Sequence, residues 1–194
     1  MKRVVNEILL VPLTGGMLFE ELVEVSNKLS EALNDVGLHV TVEVAAEQLE
    51  PPMKCFDWNR AQYLASCVVK EFLASMGDLA RNRLVVLVGM IDAYEPGMNF
   101  VFGLASPGYG VAAVFAKRLA RGEDRREGRK FVERLSKEVV HEVGHLLGLG
   151  HCQNATCVMR FSNSLAEVDE KSYKFCSSCA RRLRAVALQM SRTK

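Results

Sequence analysis

The chain has 194 residues, 49% hydrophobic and 25% charged, a composition that suits one folded unit with a full core and excludes a disordered or fibrous chain. Its 25 basic and 23 acidic side chains nearly cancel to +2, which excludes any broad electrostatic drive toward nucleic acid. No apolar stretch approaches a membrane span, and the opening MKRVVNEILLVPLTGG is broken by Asn6, Glu7 and Pro12 with no small-residue cleavage site, so it reads as folded chain and not as a signal peptide. We therefore expect a cytoplasmic, monomeric protein made in its final form, with neither nucleic-acid nor membrane partners. The locally basic runs Arg125 to Lys130 and Arg181 to Arg184 read as solvated surface.

In chain order, Glu7 to Leu13 is an apolar strand candidate. Leu18, Leu22, Val25, Leu29 and Leu33 recur at spacings of three or four, which predicts a helix over Met17 to Val36 that stops at Gly37. The alternation LHVTVEV predicts a strand over Leu38 to Val44, and Ala45 to Phe56, with two prolines, a loop. Asp57 is placed to cap a second helix running to about Leu79, with Leu64, Val68, Phe72 and Met76 facing inward. LVVLVGMI, Leu84 to Ile91, suits a central strand covered on both faces. Asn99 to Ala105 and Val111 to Phe115 predict two more strands joined by the turn formers SPGYG. Ala116 to Arg129 predicts a short helix with a loop, Lys130 to Leu147 a long helix, and Ser178 to Met190 a last helix. The early βαβαβ order implies parallel strands, with the later strands as an antiparallel edge.

The informative run is HEVGHLLGLGH, His141 to His151, which holds three of the four histidines. His141 and His145 are four apart and share one face of a helix, where two imidazoles can hold one zinc. Glu142 follows the first and can reach a water on the metal. Gly148 lets the chain leave the helix, and the turn can return His151 as a third ligand. Three protein nitrogens leave a fourth zinc position open, as catalytic sites do. A chance H-E-x-x-H on a helix is the rival explanation, and the added glycine and third histidine argue against it.

Six cysteines are present, four of them just downstream: Cys152, Cys157, Cys176 and Cys179. C-x4-C and C-x2-C separated by a loop form a tetrathiolate zinc pattern. Two disulfides or a redox pair are the alternatives, the first disfavoured in a reducing compartment. A structural zinc there would add on the order of 10 kcal/mol to folding, comparable to the net stability of a domain. Cys67, inside the second predicted helix, reads as a small buried hydrophobe, and Cys55 is assigned no role.

HExxHxxGxxH followed directly by Cys152, then C-x4-C-x-M ending at Met159 and the C-x2-C pair, resembles the archaemetzincins, a branch of the metzincin zinc peptidases. The resemblance implies an α/β fold with a mixed sheet of about five strands, an active-site helix and a zinc-stapled C-terminal segment. It further implies one domain over residues 1–194, with 1–147 as the α/β part and 148–194 as the stapled subdomain. His141, His145 and His151 would hold a catalytic zinc, Glu142 would be general base and proton shuttle, Met159 would lie beneath the imidazoles, and the four tail cysteines would hold a second, structural zinc. Asn99 to Ala105 or Val111 to Phe115 would be the edge strand that pairs with a peptide or protein substrate. Two residues after Met159, where some metzincins carry a tyrosine, this chain has Phe161, and Cys152 stands where an acidic or hydroxyl residue follows the third histidine in several branches.

The function so implied is zinc-dependent peptide-bond hydrolysis, with an aminopeptidase as its narrower form and Glu95 or Asp92 as candidates to hold a free amine. Tyr94, Tyr109 and His39 could only donate a hydrogen bond. The competing readings are a zinc-stapled binding or adaptor protein with little turnover, and a hydrolase of non-peptide amides.

Overall fold

The computed structural model describes residues 6–13, 19–120 and 127–191. The first strand, β1 (Glu7–Leu13), leads to α1 (Phe19–Asn34); the predicted helix start at Met17 and Leu18 lies outside the described residues. After α1 the chain turns at Gly37 (φ +79°), and the N–H of Leu38 is spent on the carbonyl of Leu33. That cap explains why β2 (Thr41–Val44) is shorter than its alternating pattern.

The second predicted helix is corrected by the structure. Residues 56–64 form a small antiparallel pair, β3 (Phe56–Asp57) and β4 (Gln62–Leu64), and α2 runs only from Ala65 to Met76. Asp57 does not cap α2. Its carboxylate accepts the N–H groups of Asn59 (2.9 Å) and Arg60 (3.3 Å), the local bonding by which Asp initiates a turn. The cap of α2 is Glu95, distant in sequence, whose carboxylate accepts the Ser66 N–H at 2.5 Å. The cysteines are corrected too. Cys55 and Cys67 form a disulfide, Cα to Cα 5.5 Å, because the hairpin folds the end of one segment onto the first turn of α2.

Next come β5 (Leu84–Gly89), β6 (Ala93–Tyr94), β7 (Gly103–Ser106) and β8 (Val111–Phe115). The main sheet has five strands in the order β2-β1-β5-β8-β7. All neighbours are parallel except β7 and β8, the expected antiparallel edge. The predicted strand Asn99 to Ala105 is split: Val101 bridges to Ala93 beside the smaller β3-β4-β6 sheet, and only from Gly103 does the chain join the main one.

Alternate residues of β1, β5 and β8 feed two cores. Ile8, Leu10, Val86, Val88 and Val114 pack with α1 and the long helix α3 (Glu127–Leu146), whereas Leu9, Val11, Leu87, Ala113 and Phe115 pack with α2. Burial on both sides accounts for the unbroken apolar runs. The tail carries α4 (Leu165–Glu170), whose N-cap Ser164 accepts the Glu167 N–H while the Glu167 carboxylate accepts that of Asn163, and α5 (Ser177–Ser191). Val158, Met159, Val168 and Leu183 from this tail belong to the same core as α1 and α3.

Candidate active site

Helix α3 brings His141, Glu142 and His145 to one place because its apolar side, including Leu135, Val139 and Val143, is buried against the sheet and leaves the adjoining stripe facing a cleft. Gly148, at φ +92°, reverses the chain, and the N–H of Leu149 returns to the carbonyl of Gly144 at 2.9 Å. That turn carries His151 back. One nitrogen from each of His141, His145 and His151 lies within 4.8 Å of the others.

The ring protons can be assigned. His141 Nδ1 lies 2.7 Å from the Val158 carbonyl and His145 Nδ1 2.8 Å from the Leu149 carbonyl. A carbonyl only accepts, so each Nδ1 carries its proton and each Nε2 presents a lone pair. Those two Nε2 atoms stand 3.0 Å apart. Two facing lone pairs repel unless a cation lies between them, and a tetrahedral zinc with Zn–N near 2.0 Å would set neighbouring nitrogens about 3.3 Å apart. Burial, reinforced by the nearby Lys171 ammonium, holds His141 well below its usual pKa, and burial lowers that of His151. Both effects favour the neutral imidazole that a metal requires. The residues present fit a zinc ion.

Glu142 is buried beneath Gly103 of β7, close enough that a Cβ on Gly103 would collide with its carboxyl group. Burial, then the neighbouring Glu138, push its carboxyl pKa well above the usual range, against the pull of Lys171. Met159 is fully buried, and a Cβ on Gly144 would collide with its sulfur, so the methionine packs directly under the helix between the two histidines.

The cleft holds about 440 Å³. Its walls are apolar at Phe100, Phe102, Leu104 and Phe161, and polar at Glu95, Glu138 and Ser162. Of the two strands predicted as edge, the structure places β7 there and β8 inside the sheet. Glu95 lies in the wall, whereas Asp92 pairs with Arg118 at 2.7 Å. Tyr94 donates to Asp57 and His39 bonds Asn34; neither lines the cleft, and Tyr109 sits exposed on the β7–β8 turn.

The sulfurs of Cys152, Cys157, Cys176 and Cys179 also lie within 4.8 Å of one another, and all four are free thiols. Cys152 and Cys176 are 3.8 Å apart, far beyond an S–S bond but matching the edge of a tetrahedron with Zn–S near 2.3 Å, about 3.8 Å. Backbone N–H groups of Asn154 and Cys176 donate to Cys152 and Cys157. Burial opposes ionisation of Cys176, but the N–H groups at the start of α5 and the adjacent thiols outweigh it and bring its pKa down to about 7; burial, then Cys157, push Cys179 up. Thiols so crowded cannot all ionise without a cation among them.

Sequence reasoning missed Gly103, Glu138, Lys171 and Ser162. A glycine inside a strand signals close approach and could have marked Gly103; the other three are ordinary polar residues without a motif.

The profile of Peptidase family M54 matches residues 5–185. An archaemetzincin of Aeropyrum pernix is 42% identical over 177 residues, covering 90% of this chain and 91% of its own. The crystal structure of archaemetzincin from Methanopyrus kandleri superposes with a TM-score of 0.80 at 32% identity, covering 95% of this chain and 97% of that one. A zinc-dependent peptidase from Methanocorpusculum labreanum superposes at 0.79 with 30% identity, covering 91% and 99%. With the matches running nearly end to end, this chain belongs to Peptidase family M54, the archaemetzincins, a family of zinc metallopeptidases.

Proposed function

We propose that this chain hydrolyses peptide bonds, with His141, His145 and His151 holding a catalytic zinc and Glu142 acting as general base and then as proton donor. The observation that carries the reading is the pair of Nε2 lone pairs 3.0 Å apart beside a buried carboxylate, in a cleft bordered by an edge strand. A zinc ion held by these nitrogens supplies Lewis acidity, acidifying a water and polarising a carbonyl. Glu142 takes the proton of the attacking water and passes it to the leaving nitrogen. Gly103, having no side chain, leaves the space that this carboxylate fills. The carbonyls of Val158 and Leu149 orient the two helical imidazoles. The outer edge of β7 offers its backbone to an extended peptide.

The four tail thiols would hold a second, structural zinc, for two ions per chain, and Met159 would support the site from below. We read residues 1–194 as one domain in which 148–194 is the metal-stapled part. A cytoplasmic location suits thiols that serve as ligands only when reduced; the Cys55–Cys67 bridge runs the other way, so the redox state of that pair in cells tests the location. Among the described residues, no helix is long and apolar enough to cross a membrane.

An aminopeptidase is the narrower form: Glu95, already bonded to Ser66 through one oxygen, is the wall residue placed to receive an ammonium. A peptide-library assay of the zinc-replete wild type beside Glu142→Ala decides. Cleavage by the wild type alone carries the proposal. Cleavage by neither points to a zinc-stapled binding protein, and equal cleavage by both overturns the role of Glu142.

A further inference from the structure

Lys171, the residue after α4, is a charged side chain only 2% exposed. Its ammonium pairs with a carboxylate oxygen of Glu138 at 2.8 Å and donates to the carbonyl of Arg160 at 3.3 Å. Glu138 stands on α3 three residues before His141 and four before Glu142, so it shares their side of the helix. Arg160 belongs to the loop 158–161, and its three neighbours there all meet the histidine site. The Val158 carbonyl accepts from His141 Nδ1. Met159 packs against Gly144, and its carbonyl accepts the N–H of Cys152, the residue after His151. The Phe161 ring lies 5.0 Å from that of His151. One ammonium thus ties the helix that bears His141, Glu142 and His145 to the loop that orients His141 and backs His151.

An ion pair buried this deeply is a poor source of stability, because desolvation offsets most of the attraction and apolar side chains of similar size do as well. What it supplies beyond them is direction: a charged donor bonds two particular oxygens, one on each segment. We infer that Lys171 is a positioning residue of the proposed catalytic centre. By bridging Glu138 and the Arg160 carbonyl it sets the spacing between α3 and the loop 158–161. Through Val158 and Met159 that spacing seats His141 and His151. This rests on the zinc-site and peptidase reading. Lys171 does not line the cleft, so it acts through those two segments and not by touching substrate. The Arg134–Asp169 pair also joins α3 to the tail, but seven residues before His141 on the helix, and it provides the control.

The test compares Lys171→Met, the double variant Glu138→Met/Lys171→Met and the control Asp169→Asn. Zinc affinity of the histidine site is measured by chelator competition, with His145→Ala marking the ion held elsewhere. The constants kcat and KM are measured at saturating zinc on a peptide that the library assay shows to be cleaved. Lys171→Met leaves the Glu138 charge uncompensated and should both melt lower and bind zinc weakly. The double variant removes the two charges together and should melt near the wild type. It should still bind zinc about tenfold to a hundredfold more weakly, as changes behind metal ligands do, and lose on the order of tenfold in kcat with KM unchanged. Asp169→Asn should melt lower yet keep wild-type zinc affinity and kcat. Glu138→Gln, which keeps the side-chain shape, should weaken zinc several-fold and gives the answer if the double variant does not fold. Wild-type zinc affinity in the double variant or, failing that, in Glu138→Gln overturns the positioning role, as does an equal loss in Asp169→Asn. Weakened zinc in the variants of a wild type that cleaves no peptide keeps the positioning role and sinks the peptidase. Cleavage by the wild type with unchanged zinc affinity in the variants sinks the positioning role alone, and a wild type without zinc at its histidines sinks both.

Discussion

Replacing Gly103 by alanine separates function from folding at this site. The new Cβ would occupy space now held by the Glu142 carboxyl group. Something must move, and the cheapest motion is rotation of the glutamate side chain, because β7 is tied by its ladder to β8. Overpacking of this kind costs about 1–3 kcal/mol. For a chain of this length each kcal/mol lowers the melting temperature by about 2–4 °C. The proposed role of Glu142 makes the catalytic cost larger: displacing a general base by roughly 1 Å removes on the order of a hundredfold in rate. Gly103→Ala should therefore melt only modestly lower and keep both metals by elemental analysis, yet lose about two orders of magnitude in kcat with KM little changed. Wild-type turnover in a folded Gly103→Ala protein would show that Glu142 does not act from the position described.

Metal removal should be selective: His145→Ala should lose one zinc and keep the fold, whereas Cys176→Ala should lose the other and expose residues 148–194 to proteolysis, both read by metal analysis and limited digestion. The Arg134–Asp169 pair, bidentate at 2.6 and 2.7 Å with Arg134 nearly buried, should make Asp169→Asn about 2–3 kcal/mol less stable in urea unfolding at pH 7. The hydrogen bonds from Arg134 hold the Asp169 pKa below its unfolded value near 3.9, so the stabilisation is complete above that value and fades as pH falls through the folded pKa. The difference between the two proteins should be flat from pH 7 to about 5 and shrink below about 4; a constant difference at low pH would refute the assignment. Cys67→Ala should cost up to about 3 kcal/mol by opening the loop that the bridge closes, an effect that a reductant reproduces on the wild type and not on the variant.

The parts of the fold visible in the sequence were those with a strong local period. Leu22 to Leu33 repeats every three or four residues, β5 is apolar throughout, and the histidine run needs only a helix followed by a glycine turn to converge. What failed was decided by distant partners. Asp57 has the chemistry of a helix cap, but an equally good local turn claimed it, and the cap of α2 came from Glu95, far along the chain. Cys55 and Cys67 flank a hairpin whose strands of two and three residues carry no pattern of their own, so their proximity was invisible before folding. For the choice of edge strand, open at the level of sequence, a signal did exist: Val111–Phe115 is apolar throughout, as an interior strand is, whereas Gly103–Ser106 carries a glycine and a serine.

His151 and Cys152 are joined by one peptide bond, and the Cys152 N–H closes back onto the Met159 carbonyl at 2.9 Å. With Cys152 of the proposed structural site one peptide bond from His151 of the proposed catalytic site, poisoning becomes indirect. A thiophilic ion such as cadmium or mercury, or a peroxide that oxidises the tail, would strike the sulfurs first and yet silence the proposed histidine centre. Inhibition by such agents should follow loss of thiols and not of histidine, and should be reversed by a reductant together with fresh zinc.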